Sequence, residues 1–80
     1  MEKKLAKNKV AVSDFDRKVN KEILARMGMM RISGNTLASQ IKRSPTYVYK
    51  RLNEESEWNI GDIASICEAW NLSVDDLLQL

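Results

Sequence analysis

The dipeptide Ser44-Pro45 sets a helix boundary in the middle of this 80-residue chain. A serine side chain caps the first turn of a helix, and proline suits the first helical position, where its missing N–H is not needed. Any helix that precedes this boundary must be short. Apolar residues at helical spacing flank it on both sides: Leu37, Ala38 and Ile41 before it, and Val48 and Leu52 after it. The sequence therefore predicts two short helices joined by a tight turn.

Polar caps and apolar spacing also predict a helix ahead of this pair. It begins after Ser13, with Asp14 and Asp16 in the first turn, where the helix dipole favours negative charge. Its apolar stripe consists of Phe15, Val19, Ile23, Met27 and Met30. We expect the methionines of this helix, including Met29, to lie in the core. Ser33-Gly34 marks the start of the next helix.

Two more helices are predicted after the central pair. Asn59 is a cap for the fourth, and Ser73 with Asp76 resembles a capping box that opens the fifth. Their apolar positions are Ile60, Ile63, Ala64, Cys67 and Trp70 in the fourth helix, and Val74, Leu77 and Leu78 in the fifth. No segment reads as a convincing strand, so the predicted fold class is all-α. Residues 1–12 are rich in lysine without a helical period, which predicts a basic flexible arm ahead of one domain, residues 13–80.

The charges are sorted along the chain. All thirteen Lys and Arg residues lie between Lys3 and Arg51, so residues 1–51 carry a net charge of +9. Residues 52–80 contain seven acids and no base, a net charge of −7. A basic half on a small domain indicates a polyanionic partner, and we expect the acidic half to face away from it.

The composition argues against several classes of protein. The chain has no histidine and only one cysteine, Cys67, which leaves no histidine base and too few ligands for a zinc site. Ser39-Gln40-Ile41-Lys42 matches the serine–lysine spacing of some acyl-transfer enzymes, but no second catalytic motif accompanies it. We therefore expect no enzymatic activity, no metal and no cofactor. No apolar run is long enough to span a membrane, and the lone cysteine fits a reducing compartment such as the cytoplasm.

The central pair resembles the helix-turn-helix of the Cro/repressor-type family, which comprises XRE-like and lambda-repressor-like domains. The resemblance rests on Leu37-Ala38, Ile41, Ser44, Val48 and Leu52, and on the closing segment from Asn59 to Leu78. It implies a five-helix fold, double-stranded DNA as the partner, and a homodimer on a two-fold operator. The family usually has glycine where this chain has Lys42, and an apolar residue where it has Arg43. Either Lys42 takes a left-handed conformation, at a cost on the order of 1 kcal/mol, or the turn has another shape.

The resemblance places the DNA-contacting residues on and around the second helix of the pair. They are Asn35, Thr36, Arg43, Ser44, Thr46, Tyr47, Tyr49, Lys50 and Asn53. Arg43 and Lys50 can bind phosphate or guanine, and Thr46 and Tyr47 are expected to point outward. Competing structural roles stay open for several of them: packing for Tyr47 and Tyr49, and capping for Asn35, Thr36 and Asn53.

The predicted function is that of a sequence-specific transcriptional regulator, a phage- or prophage-type repressor that dimerises through Leu77, Leu78 and Leu80. The alternative is an antitoxin or antirepressor that acts mainly by binding another protein. Trp58 and the leucine-rich end favour that alternative.

Overall fold

The computed structural model describes residues 12–78, and this part of the chain consists of five α-helices without a strand. They are α1 (Asp14–Met30), α2 (Gly34–Ile41), α3 (Pro45–Leu52), α4 (Ile60–Trp70) and α5 (Val74–Leu78). α2 packs against α3 and α4, while α5 packs against α1 and α4. The predicted all-α class with five helices is confirmed. None of the described helices has the length and apolarity needed to cross a bilayer.

Every helix begins at the polar residue that the sequence predicted as its cap. The side-chain oxygens of Ser13, Ser33, Ser44 and Asn59 each accept the backbone N–H of the residue three positions later. Ser73 and Asp76 form a capping box before α5, because each side chain accepts the backbone N–H of the other at 3.1 Å. These bonds satisfy N–H groups that have no partner inside the helix.

The ends of four helices carry a residue in the left-handed conformation, and none of the four is a glycine. These residues are Arg31 (φ 58°), Lys42 (φ 61°), Glu54 (φ 64°) and Asn71 (φ 57°). After α2, the N–H groups of Lys42 and Arg43 donate to the carbonyls of Ser39 and Ala38, which is a Schellman motif. The turn therefore has the left-handed shape usually built on glycine, and Lys42 bears a conformational cost on the order of 1 kcal/mol.

The core draws on all five helices. Its buried members are Val19, Ile23, Met27, Leu37, Ala38, Ile41, Val48, Leu52, Trp58, Ile66, Cys67 and Leu77. All five apolar residues predicted beneath the central helix pair are among them, so that prediction is confirmed. Burial of apolar side chains of this size stabilises the fold by about 1.5–3 kcal/mol each.

Other predicted core positions are wrong. Phe15 is 54% exposed, Met29 74% and Met30 43%. Ile60 is 88% exposed and Val74 45%. In the predicted stripe of α4, Cys67 is buried and Ile63 and Trp70 pack against the core, whereas Ala64 is exposed. The buried residues of α4 are Asp62, Ile66 and Cys67. Isoleucines at positions 60, 63 and 66 make several faces of α4 apolar, so spacing alone does not identify the buried one.

A buried polar network joins α1 to the end of α3 and to the loop that follows it. The Asn20 amide is fully buried, donates to the Leu52 carbonyl at 2.9 Å and accepts the Trp58 indole N–H at 3.0 Å. Asp16 Oδ1 accepts the Trp58 backbone N–H at 2.8 Å, while its buried Oδ2 has no hydrogen-bond partner. Burial is the main reason why the pKa of Asp16 lies above its usual value. The C-terminal end of α3 is thus fixed by side chains of α1.

Two expectations about the chain ends require correction. Val12 was assigned to the arm, but it is buried beside the start of α1. Leu77 was expected to contribute to a dimer surface, but its side chain is completely buried in the core. The rest of the predicted arm, with its lysines, and Leu80 lie outside the described residues.

Candidate nucleic-acid interface

The unit formed by α2, the turn at residues 42–44 and α3 presents one continuous exposed surface. Ala38 is 1% exposed, and this small side chain allows α2 and α3 to pack closely. α3 buries Val48 and Leu52 on one side and exposes Thr46 and Lys50 on the other. A helix with a buried inner side and a polar, basic outer side has the form needed to enter a major groove.

The predicted residues at the start of α2 are exposed and close to a helix N-terminus. Thr36 donates its backbone N–H to the Ser33 hydroxyl oxygen at 3.1 Å, and that hydroxyl donates to Thr36 Oγ1 at 3.3 Å. Asn35 lies one residue earlier and is also exposed. The first turn of a helix presents N–H groups and a positive dipole end, which suit a phosphate oxygen. Ser33 is the cap of α2, so the alternative of capping by Asn35 or Thr36 is wrong.

Ser44 and Asn53 occupy the two ends of α3. The Ser44 hydroxyl oxygen accepts the Tyr47 N–H at 3.1 Å, so this side chain caps the helix. Asn53 is the C-terminal cap, and its backbone N–H donates to the Tyr49 carbonyl at 2.9 Å. Both residues are exposed. Capping is therefore an observed role for each, and DNA contact stays a prediction.

Tyr47 does not point outward as predicted. Its phenol O–H donates to Asp62 Oδ2 at 2.6 Å and its oxygen accepts the Asn59 amide at 3.3 Å. Burial, and then the hydrogen bond to Asp62, raise the pKa of this phenol, so it stays a neutral donor at physiological pH. The ring is held against α4 by a carboxylate that sequence spacing did not reveal. The packing role that the sequence left open for Tyr47 is the one observed.

Two arginines converge on the same carboxylate. Arg43 Nε donates to Asp62 Oδ1 at 3.0 Å, and Arg51 Nε lies 4.0 Å from Asp62 Oδ2. Both guanidinium groups lie over the Tyr47 ring, with the guanidinium carbon 4.5 Å from its centre for Arg43 and 3.5 Å for Arg51. Asp62 itself is 1% exposed. We call these four residues, Arg43, Tyr47, Arg51 and Asp62, the Asp62 cluster. It ties the turn and α3 to α4.

Tyr49 packs against the first helix of the pair. A β-carbon placed on Gly34 would lie 2.6 Å from Tyr49 Cζ, closer than real side chains approach each other. The phenol ring therefore lies directly over Gly34 at the start of α2, while the residue stays 40% exposed at the surface. Glycine at this position leaves room for the close approach of the ring. The packing role that the sequence left open for Tyr49 is observed, and the exposed part of the ring borders the candidate interface.

Sequence reasoning missed Asp62, Arg51 and Gly34 as parts of this site. Asp62 was treated as one of the acids facing away, but it lies beneath α3, and that expectation is wrong for it. Asp62 precedes the buried Ile66 by four residues and so shares its helix face, but the sequence did not identify that face as the buried one. Among residues 12–78, no group of three or more Cys, Asp and Glu side chains is placed to hold a metal ion.

Comparison with known proteins agrees with this geometry. A family model described as a Cro/C1-type HTH DNA-binding domain matches residues 16–80. The matched range includes all of α2 to α5 and α1 from its third residue onward. No curated protein and no solved structure matches the chain.

Proposed function

The chain belongs to the Cro/C1-type HTH DNA-binding family, which makes it a DNA-binding transcriptional regulator, and we propose that it is a sequence-specific repressor of the phage or prophage type. It acts as a homodimer on a two-fold operator. Its work is binding, without catalysis. A regulator of this type works where the DNA is, in the cytoplasm.

The observation that carries this proposal is the exposed surface of α3 and of the turn before it. Thr46 and Lys50 lie on the outer side of α3, and the half-exposed Arg43 lies in the turn beside its N-terminus. Basic side chains at these positions neutralise phosphates, and a side chain that reaches a base edge gives sequence preference. The N-terminus of α2, with Asn35 and Thr36, supplies a second phosphate contact at one edge of the same surface.

The dimer in this proposal uses an apolar groove between α1, α4 and α5. The groove has a volume of about 380 Å³, and Phe15, Ile60, Val74 and Leu78 line it. Ile60 is 88% exposed in the single chain. An exposed cluster of large apolar side chains marks a surface that another protein covers. Because Leu77 is buried, the proposed dimer surface is now this groove, which keeps only Leu78 of the leucines first predicted for it.

The same groove favours the second candidate function, an antitoxin or antirepressor that acts through a protein partner. A partner other than a second copy would cover Phe15 and Ile60 without creating a two-fold DNA site. Sedimentation of the protein alone distinguishes the two candidates. A dimer that becomes a monomer in an Ile60→Asp variant supports the repressor proposal. A monomer at micromolar concentration that also fails to associate on DNA contradicts the homodimer.

The DNA-binding part is tested by selection from random duplexes at several salt concentrations. We expect one enriched motif with two-fold symmetry. The logarithm of the binding constant should fall linearly with the logarithm of the salt concentration. The slope divided by about 0.9 gives the number of phosphates neutralised. Lys50→Ala should weaken binding clearly more than Lys18→Ala, because Lys18 lies on the exposed side of α1, opposite its buried face. Weak binding without sequence preference would contradict the proposal and direct attention to a protein partner.

A further inference from the structure

Asp62 occupies an unusual position for a carboxylate. It is 1% exposed, and three side chains of the turn and α3 surround it: Arg43, Tyr47 and Arg51. An ionised carboxylate is costly to bury unless hydrogen bonds and opposite charge compensate it. Among residues 12–78, the compensating side chains all come from the turn and α3, the unit proposed to enter the DNA groove. The carboxylate therefore holds side chains of that unit in fixed positions.

The two arginines are held in different ways. Arg51 is mostly buried, stacks on Tyr47 and donates Nη1 to the Tyr47 carbonyl at 3.0 Å. Arg43 is bonded to Asp62 through Nε alone and keeps 42% of its side chain exposed. Its two terminal amino groups have no hydrogen-bond partner within residues 12–78. Arg51 is thus a structural member of the Asp62 cluster, while Arg43 has an oriented end free for a ligand.

We infer that Asp62 is a positioning residue for base recognition. Its carboxylate orients Arg43 so that the two terminal amino groups meet the O6 and N7 acceptors of a guanine. This inference rests on the proposed function, since it requires a sequence-specific DNA complex.

Geometry favours guanine over a phosphate as the ligand of Arg43. Arg43 immediately precedes the Ser44 cap, so it lies at the end of α3 that enters a major groove in a helix-turn-helix complex. A guanidinium group fixed at Nε presents its other two nitrogens as a pair, which matches the paired acceptors of guanine. Arginine can also pair with two phosphate oxygens, so the position of Arg43 at the base-contacting end of α3, rather than the paired donors alone, favours guanine.

The test compares base preference with overall affinity in three variants, each selected against random duplexes. Arg43→Lys keeps the charge and removes the paired donors. Asp62→Asn keeps the size of the side chain and removes the charge that orients Arg43. Asp75→Asn is the matched control, because Asp75 is exposed on α5. Circular dichroism confirms that each variant is folded before selection.

We expect Arg43→Lys and Asp62→Asn to lose the preference for guanine at the same position of each half-site, by roughly ten-fold. Affinity for random DNA should not fall in Asp62→Asn, because a negative charge near the phosphates is removed. Asp75→Asn should keep the preference of the unmodified protein. A purely structural role of Asp62 would instead weaken binding to all sequences equally.

Two results would overturn the inference while the proposed function stands. One is an Arg43→Lys variant that keeps the full guanine preference. The other is an Asp62→Asn variant that binds every sequence more weakly with its base preference intact. If the unmodified protein enriches no motif at all, the proposed function has failed, and the inference falls with it.

Discussion

Replacement of Asn20 by alanine should be among the most damaging single substitutions in this domain. The side chain is completely buried and bonds two groups that are distant in sequence, the Leu52 carbonyl and the Trp58 indole N–H. Asn20→Ala leaves both of these groups without a partner in the interior. A buried polar group without a partner costs about 1–3 kcal/mol, so the two together cost roughly 2–6 kcal/mol. Small domains have only about 5–15 kcal/mol of total stability, so the variant should lose a large share of it.

Urea unfolding followed by circular dichroism measures this cost. The control is Lys21→Ala, an exposed neighbour on α1, which should change the free energy of unfolding by no more than about 0.5 kcal/mol. Trp58→Phe removes one donor, so the Asn20→Ala and Trp58→Phe double variant should lose less than the sum of the single losses. An Asn20→Ala loss below about 1 kcal/mol, with an unchanged denaturant slope, would refute the view that this amide joins α1 to α3.

Three further substitutions have definite expected outcomes. Lys42→Gly removes the left-handed strain and should raise the unfolding free energy by about 1 kcal/mol, or the melting temperature by about 4–8 °C. An unchanged or lower melting temperature would show that Lys42 bears no such strain. Gly34→Ala places a β-carbon 2.6 Å from Tyr49 Cζ and should weaken DNA binding in a titration. In a protein that already carries Tyr49→Ala, Gly34→Ala should not weaken DNA binding further. If it still does, the contact with Tyr49 is not the cause of the loss. The unfolding free energy of Asp16→Asn, relative to that of the unmodified protein, should increase as pH rises from 4 to 8 in a series of urea titrations. Burial holds the pKa of Asp16 above its unfolded value, so the folded protein loses stability as this carboxyl ionises with rising pH. A stability difference that does not vary with pH would contradict this account.

Helix boundaries could be predicted from the sequence because their causes are local. Ser13, Ser44 and Asn59 each cap through a bond to a residue only three positions away, so the signal and its effect lie in one short segment. The core beneath the central helix pair was also predictable, since Leu37 and Val48 have few apolar neighbours that could compete for the buried side.

The site was less predictable, because its shape depends on contacts between distant segments. Helical spacing alone predicts that Tyr47 is exposed. Its side chain points inward because it bonds to Asp62, fifteen residues later in the chain. The isoleucines of α4 lie on several faces of the helix and did not identify the buried face, so the burial of Asp62 was not apparent from the sequence. Trp58 was taken as a sign of a protein-binding surface, but it is buried in the core, where its indole partner Asn20 lies 38 residues earlier in the chain.

The packing of α5 against α1 has a consequence for how the domain folds and opens. Most contacts in this fold lie within one helix or between neighbouring helices, and such local contacts form quickly. The contact between α1 and α5, in which Leu77 enters the core that also contains Ile23, joins the most distant pair of helices. Closing this long loop is the entropically expensive step. We therefore expect the unit of α2 and α3 to form early in folding and the contact between α1 and α5 to form late.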